Sequence, residues 1–424
     1  MRSNKTNVLY VHSSSQLWGS DRCLYHMLKL IDRRMYQPCV ILPRKGPLSE
    51  RIEALDIDIV YPLCMSIVYR FRNPMKCFFY FVKLFIEVIW LTILLKRRRI
   101  ALVHVNTSST IGPLIAARLC HVPAICHLRE IRISPRIIGR ALVTTVNLLA
   151  SHVISISKAV ADFANTGWIK PLSSEIIHDG LDSPEYGGQK TDDRNSVLGP
   201  SSSVFCLPPG CKVVSVIGRI TFWKGIHVFI DAAKIVLRNL PDTYFLIVGA
   251  SDTKQSAKYQ KRLEDDVRKL VVSEAEPSAV SNHIIFTGFV NDIHEILHRT
   301  DVFVLPSVYP EPFGMIVIEA MLAGKPVVAT SHGGPIELIE DGKEGFLVEP
   351  NDHRQLAEKI AVLIKDPSLC KEIGRRAQLR VARDFQMCKT MDSIHRTYNR
   401  MVRTGSHAVG TRRTTPCGYP SVRL

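Results

Sequence analysis

The chain has 424 residues, with 55 Lys and Arg against 39 Asp and Glu and a formal charge of +16. That length exceeds one ordinary domain and fits two of about 200 residues each, while the charge implies an anionic partner: lipid surface, phosphorylated small molecule or nucleic acid. Eleven scattered cysteines with no C-x-x-C pair exclude a zinc framework and point to a reduced cytosolic protein.

Residues 1–6 are polar and lead straight into the apolar run 8–11, so no secretory leader is expected. From there, short apolar runs alternate with helix-length spacers: 8–11, 39–42, 59–61, 102–105, 124–127 and 153–156, then 213–217, 245–248, 284–286, 302–305, 327–329 and 345–348. Such runs are βαβ strands of parallel sheets covered on both faces. The expected fold is α/β, two Rossmann-like doubly wound domains facing each other across a cleft, with ligands outside the carboxyl ends of the strands. Composition sets the boundaries: a first domain 1–182, a Gly/Ser/Pro-rich linker 183–210, a second domain 211–385, a helix 386–404 and a disordered basic tail 405–424. Residues 251–281 read as a surface insertion with a charged helix at 261–270.

The segment 75–95, MKCFFYFVKLFIEVIWLTILL, precedes Lys96-Arg97-Arg98-Arg99. It has the length of a membrane span, but Lys83 and Glu87 interrupt it at a spacing that lets them pair. A span would also sever the first strands from their sheet. It is therefore a surface helix, and two partners for residues 78–95 stay open: the bilayer or the core. Eight Lys or Arg against the single Glu87 in 65–100 suit an anionic membrane.

The sharpest motif is Glu311-Pro312-Phe313-Gly314-Met315-Ile316-Val317-Ile318-Glu319. Pro310 and Pro312 force an extended turn, Gly314 permits close approach, and the following helix begins with N–H groups that lack internal partners. A helix N-terminus of this kind suits phosphate or sugar oxygens. Glu311 lies before it and Glu319 about two turns in, so they can reach different parts of one ligand.

With its flanks, Leu305-Pro306-Ser307, Gly324-Lys325-Pro326-Val327-Val328-Ala329 and Gly333-Gly334-Pro335-Ile336-Glu337, this motif resembles the retaining glycosyltransferases of the GT-B fold, glycosyltransferase group 1 or family 4. Glu311 and Glu319 match that family's E-x7-E pattern. The resemblance spans roughly residues 7–400. It makes the first domain the acceptor side and the second the donor side. It implies that Arg219 and Lys224 hold the diphosphate, that Glu319 takes the ribose hydroxyls, and that Glu311 with the backbone of Phe313, Gly314 and Met315 holds the transferred sugar. His127, at a strand end, is similar to a histidine that touches that sugar, and Arg129 and Glu130 beside it are expected to pair. In the first loop, Trp18-Gly19-Ser20-Asp21-Arg22 departs from the family's two glycines and downstream Glu. Gly19 and Ser20 keep backbone N–H groups for an anion, and Asp21 stands in for the Glu.

No metal is implied, since the two cations serve the diphosphate and Asp56-Ile57-Asp58 reads as part of a strand. No cofactor is expected beyond the nucleotide diphosphate sugar, which is a substrate. The implied enzyme is a metal-independent hexosyltransferase of lipopolysaccharide or other polysaccharide biosynthesis, acting on a glycan or lipid-linked acceptor. It would be cytoplasmic and peripheral at the inner face of the cell membrane. A nucleotide-sugar epimerase of the same fold, or a catalytically silent binding subunit, are the alternatives. Nucleic-acid binding has no motif behind it.

Overall fold

The computed structural model describes residues 5–68, 74–131, 135–182, 207–269, 282–290 and 292–405. Most of the expected linker (183–206), the loop 270–281 of the expected insertion and the tail beyond 405 lie outside these residues. The chain forms two compact units, Met1–Leu181 with Gln386–Leu424, and Asp182–Phe385.

The first unit holds seven parallel strands: β1 (Thr6–Val11), β2 (Tyr36–Ile41), β3 (Asp58–Val60), β4 (Leu102–Val105), β5 (Ala124–Leu128), β6 (His152–Ser155) and β7 (Ser174–Ile176). Their order is β3-β2-β1-β4-β5-β6-β7. The order reverses between β1 and β4, the place where doubly wound sheets bind ligands. β4 and β5 are buried along their whole length, as a sheet covered on both faces requires. β3 starts at Asp58, so Asp56 is not in the strand as the sequence suggested; it occupies a left-handed turn before it, φ 54°. The helix Met387–Gly405 follows the second unit in sequence yet belongs to the first, where Met387, Met391, Ile394 and Tyr398 pack beside Val8, Tyr10 and Leu102.

The helix Pro74–Arg97 is apolar on two sides. Tyr80, Leu84, Leu91 and Leu95 face inward, and the first two pack with Val68 and Leu142. The opposite stripe, Phe78, Phe81, Phe85, Ile86, Ile89 and Ile93, is exposed, Phe78 and Phe85 by about two-thirds (64% and 67%). Glu87 corrects one expectation: it turns inward rather than pairing with Lys83. Its carboxylate accepts the Ser66 backbone N–H at 2.9 Å, and burial pushes its pKa up to about 7 against that hydrogen bond. A Cβ on Gly112 would lie 2.7 Å from Glu87 Oε2, so glycine leaves the buried carboxylate its room beside the helix Gly112–Leu119.

The second unit has six parallel strands: β8 (Lys212–Ile217), β9 (Thr243–Val248), β10 (Ile284–Gly288), β11 (Val302–Leu305), β12 (Val327–Thr330) and β13 (Gly345–Val348). They run β10-β9-β8-β11-β12-β13. Val214, Val216, Phe245, Ile247, Val302 and Val304 form its core with Phe229 and Ile360 of the covering helices. The order again reverses, between β8 and β11, whose carboxyl ends lead into Gly218-Arg219 and Pro306-Ser307.

Candidate functional site

Beyond β8 the chain turns through Gly218 into a short 3-10 turn, Phe222–Lys224, and Gly225 starts the helix Ile226–Asn239. Gly225 has φ 69°, and a Cβ there would stand 1.9 Å from the carbonyl oxygen of Pro306. Only glycine lets this turn press against the end of β11. The contact brings Lys224 to the loop after β11, where its Nζ lies 2.8 Å from Glu311 Oε2. Ser307 Oγ donates to the same oxygen at 3.0 Å, and the ammonium also sits 4.4 Å from the centre of the Trp223 ring.

Arg219, in the turn after β8, pairs with Asp252 at 2.8 Å. Burial raises the Asp252 pKa, but the hydrogen bond and charge of Arg219 hold it below the usual aspartate value. Both expected phosphate cations are thus matched by a carboxylate.

The backbone of Glu311 is fixed by the Gly333-Gly334 turn. Gly334 N–H donates to Glu311 O at 2.7 Å, and a Cβ on Gly333 (φ 75°) would meet that oxygen at 2.3 Å. Phe313 is buried against Phe385, and Gly314, with φ 105°, precedes the helix Met315–Leu322. Phe313, Gly314 and Met315 therefore stand at the N-terminus of a helix that follows a parallel strand, where peptide dipoles favour an anion. Glu319 lies in the second turn of that helix and has no exposed surface. Arg219, Lys224, Glu311 and the helix start thus belong to the loops after β8 and β11, on either side of the strand-order reversal.

In the first unit His127 lies in β5, is fully buried, and places Nδ1 3.3 Å from His104 Nε2. Burial drives its pKa well below the usual histidine value, with the Arg129 charge acting the same way. Arg129 does not pair with Glu130 as expected. Its guanidinium bonds Asp179 and Asn106 instead; burial opposes its charge, but the Asp179 carboxylate keeps it firmly protonated. Glu130 accepts from Thr107 and Ser108. Gly19 and Ser20 open the helix Gly19–Leu30 and are partly buried. Asp21, read as a stand-in for a ligand-facing Glu, has no exposed surface and binds His12 at 2.6 Å and the Trp18 N–H at 2.9 Å, so it shapes the loop rather than facing a ligand.

Sequence reasoning missed Asp252 and the His104 and Tyr398 pair behind His127. Ser307 lay inside a quoted flank, but nothing marked its hydroxyl as a partner of Glu311.

Residues 205–380 match the family model of glycosyl transferases group 1. The UDP-Gal:alpha-D-GlcNAc-diphosphoundecaprenol alpha-1,3-galactosyltransferase of Escherichia coli is 24% identical over 94% of this chain and 98% of its own length. The putative glycosyltransferase EpsD of Bacillus subtilis is 36% identical over 42% of each chain. Among solved structures, Anabaena HepE in complex with UDP and glucose has a TM-score of 0.74 at 25% identity, covering 92% of this chain and 99% of that one.

Proposed function

We propose, from the premise that this chain is a glycosyltransferase of group 1 and moves a sugar from a nucleotide sugar, that its donor is a UDP-sugar and its acceptor a sugar carried on a polyprenyl diphosphate. The UDP complex of the Anabaena neighbour and the acceptor of the Escherichia coli relative support the two halves. The observation that carries the reading is the Lys224 and Glu311 pair, locked by glycines at the start of the Met315–Leu322 helix. One cation and one carboxylate, 2.8 Å apart, suit a ligand whose phosphate and sugar are joined by a single bond.

In this reading Arg219 and Lys224 bind the diphosphate, and their charge offsets the charge that builds on it as the anomeric bond breaks. Glu311 and the backbone of Phe313, Gly314 and Met315 hold the sugar, and His127 contacts one of its hydroxyls. Glu319 takes the ribose, and Gly19 and Ser20 lie by the acceptor or the phosphates. The cations do the work without a metal. The acceptor hydroxyl attacks from the face the diphosphate leaves, giving up its proton to the departing phosphate oxygen, so that anomeric configuration is retained.

The enzyme works at the cytoplasmic face of the membrane, in assembly of a surface polysaccharide or lipopolysaccharide. The exposed aromatic stripe of the Pro74–Arg97 helix and its basic end support that location. To test the reading, the purified protein is incubated with a panel of UDP-sugars and a diphospholipid-linked N-acetylglucosamine, and the anomeric coupling of the product is read by proton NMR. Transfer with retained configuration is expected. Inversion, a demand for added metal, or conversion of donor without acceptor would each overturn it.

A further inference from the structure

Behind His127 the first unit carries a row of side chains for which the donor chemistry has no use. Tyr10, His104, His127 and Tyr398 come from β1, β4, β5 and the helix Met387–Gly405, and none has exposed surface. His104 reaches His127 with Nε2 and sets its Nδ1 2.6 Å from Tyr398 Oη. The Tyr398 hydroxyl in turn donates to Tyr10 Oη at 2.8 Å, and the Tyr10 ring stacks on His104. Both imidazoles are neutral, because burial pushes His104 down to about 3 and His127 well below its ordinary value.

A neutral imidazole carries one N–H, so the row has a direction. Tyr398 gives its only proton to Tyr10, and its oxygen accepts from His104 Nδ1–H. His104 Nε2 is then a bare lone pair, which accepts from His127 Nδ1–H. That leaves His127 Nε2 without a proton. It is also the one ring nitrogen of the row without a hydrogen-bond partner, although it is buried. An unmatched polar atom inside a protein calls for a reason, and a role toward a ligand is one.

We propose that Tyr398 and His104 are positioning residues that hold His127 as the Nδ1–H tautomer, so that Nε2 accepts a hydrogen bond from a hydroxyl of the transferred sugar. The tautomer half stands on the hydrogen-bond row alone, and the sugar half rests on the reading of His127 under the proposed function. A residue of the last helix, encoded after the whole second unit, thereby fixes a side chain in the sheet of the first.

The test uses the full chain with 15N-labelled histidine, with the ring signals of His127 assigned by their loss in His127→Gln. The wild type is expected to show a protonated Nδ1 and an unprotonated Nε2. Tyr398→Phe removes the acceptor of His104 Nδ1–H, so the His127 signals should move toward a mixture of tautomers. His104→Phe, which keeps a ring in place, should do the same by removing the acceptor of His127 itself. A wild-type ring protonated on Nε2, or His127 signals unchanged in both folded variants, would overturn the relay. The sugar half is read separately, with UDP-sugars lacking one hydroxyl at a time. Wild-type enzyme should lose about 2- to 10-fold in kcat/KM for one of them, the range of a single hydrogen bond, and Tyr398→Phe should lose that discrimination with the acceptor KM unchanged. Discrimination that persists in His127→Phe, whose ring has no nitrogen to accept, would overturn the sugar contact while leaving the relay in place.

Discussion

Lys224 Nζ and Glu311 Oε2 are 2.8 Å apart, with 13% and 10% of the two side chains exposed, although 87 positions separate them in the chain. Ser307 Oγ donates to the same carboxylate oxygen at 3.0 Å, so Glu311 keeps a partner in the exchange that the proposed function requires, a phosphate oxygen taking its place at the ammonium.

This exchange sets the expectation for the cations. Lys224→Ala and Arg219→Ala should each lower kcat by roughly 10²- to 10³-fold, the size expected when a group that stabilises developing charge is lost, and change nucleotide affinity less. Steady-state kinetics with isothermal calorimetry separates the two. Wild-type turnover in either variant would return that residue to a structural pairing with Asp252 or Glu311.

Glu319→Gln keeps the volume of a fully buried side chain and replaces its carboxyl group by an amide. Losing a charge-assisted hydrogen bond to ribose is worth about 1.5–3 kcal/mol, so UDP affinity should fall roughly 10- to 150-fold. Calorimetry with UDP alone gives the answer, and unchanged affinity in the folded variant removes Glu319 from the nucleotide site.

The outer stripe of the Pro74–Arg97 helix makes a prediction about lipid. Phe78, Phe79 and Phe81, each more than half exposed, contribute little to the fold. Changing any one to Ser should leave the melting temperature in place and weaken co-sedimentation with anionic vesicles by about tenfold or more, the effect of withholding a phenyl ring from an apolar phase. Added salt should weaken it further. Trp90 stands on the flank and is only partly exposed, so Trp90→Ser should disturb folding as well. Binding indifferent to all three Phe changes would show that the helix does not rest on lipid.

Glu87 makes stability depend on pH. Its folded pKa, about 7, is above the ordinary 4.5, so the folded chain binds the proton more tightly than the unfolded one. The contribution is fully present below about pH 4.5 and is lost as pH rises through 7. At roughly 1.4 kcal/mol per unit the loss is of order 3 kcal/mol. Cys64 and Tyr80, its titratable neighbours, stay neutral across this window because burial raises both. Glu87→Gln, which keeps an acceptor for the Ser66 N–H, should melt higher than wild type at pH 8 and about level with it at pH 5. Equal melting temperatures at pH 8 would show that the carboxylate reaches water.

Every strand but β7 (Ser174–Ile176), the two-sheet architecture and the Glu311-to-Glu319 motif were legible in the amino-acid order, because each is written in neighbouring residues. An apolar run of four to six residues between turn formers has little choice but to be a buried parallel strand, and Pro312 with Gly314 dictates the turn before its helix. The inward turn of Glu87 was not legible. With apolar residues on both sides of that helix, its periodicity cannot tell which stripe packs, and only the position of the Gly112–Leu119 helix decides.

Partnerships were likewise a matter for the tertiary structure. Arg129 has Glu130 next to it but binds Asp179, 50 positions away, and Arg219 meets Asp252 only because the ends of β8 and β9 lie side by side. Tyr398 reaches His104 across 294 positions, since the last helix returns to the first unit. Sequence determined which groups could carry charge and where strands end, because backbone preference and hydrophobic period are local. Which charges cancel, which carboxylate is buried and which histidine is held in one tautomer depend on side chains that only long-range packing brings into hydrogen-bond reach, at distances where direction and burial outweigh chemical identity.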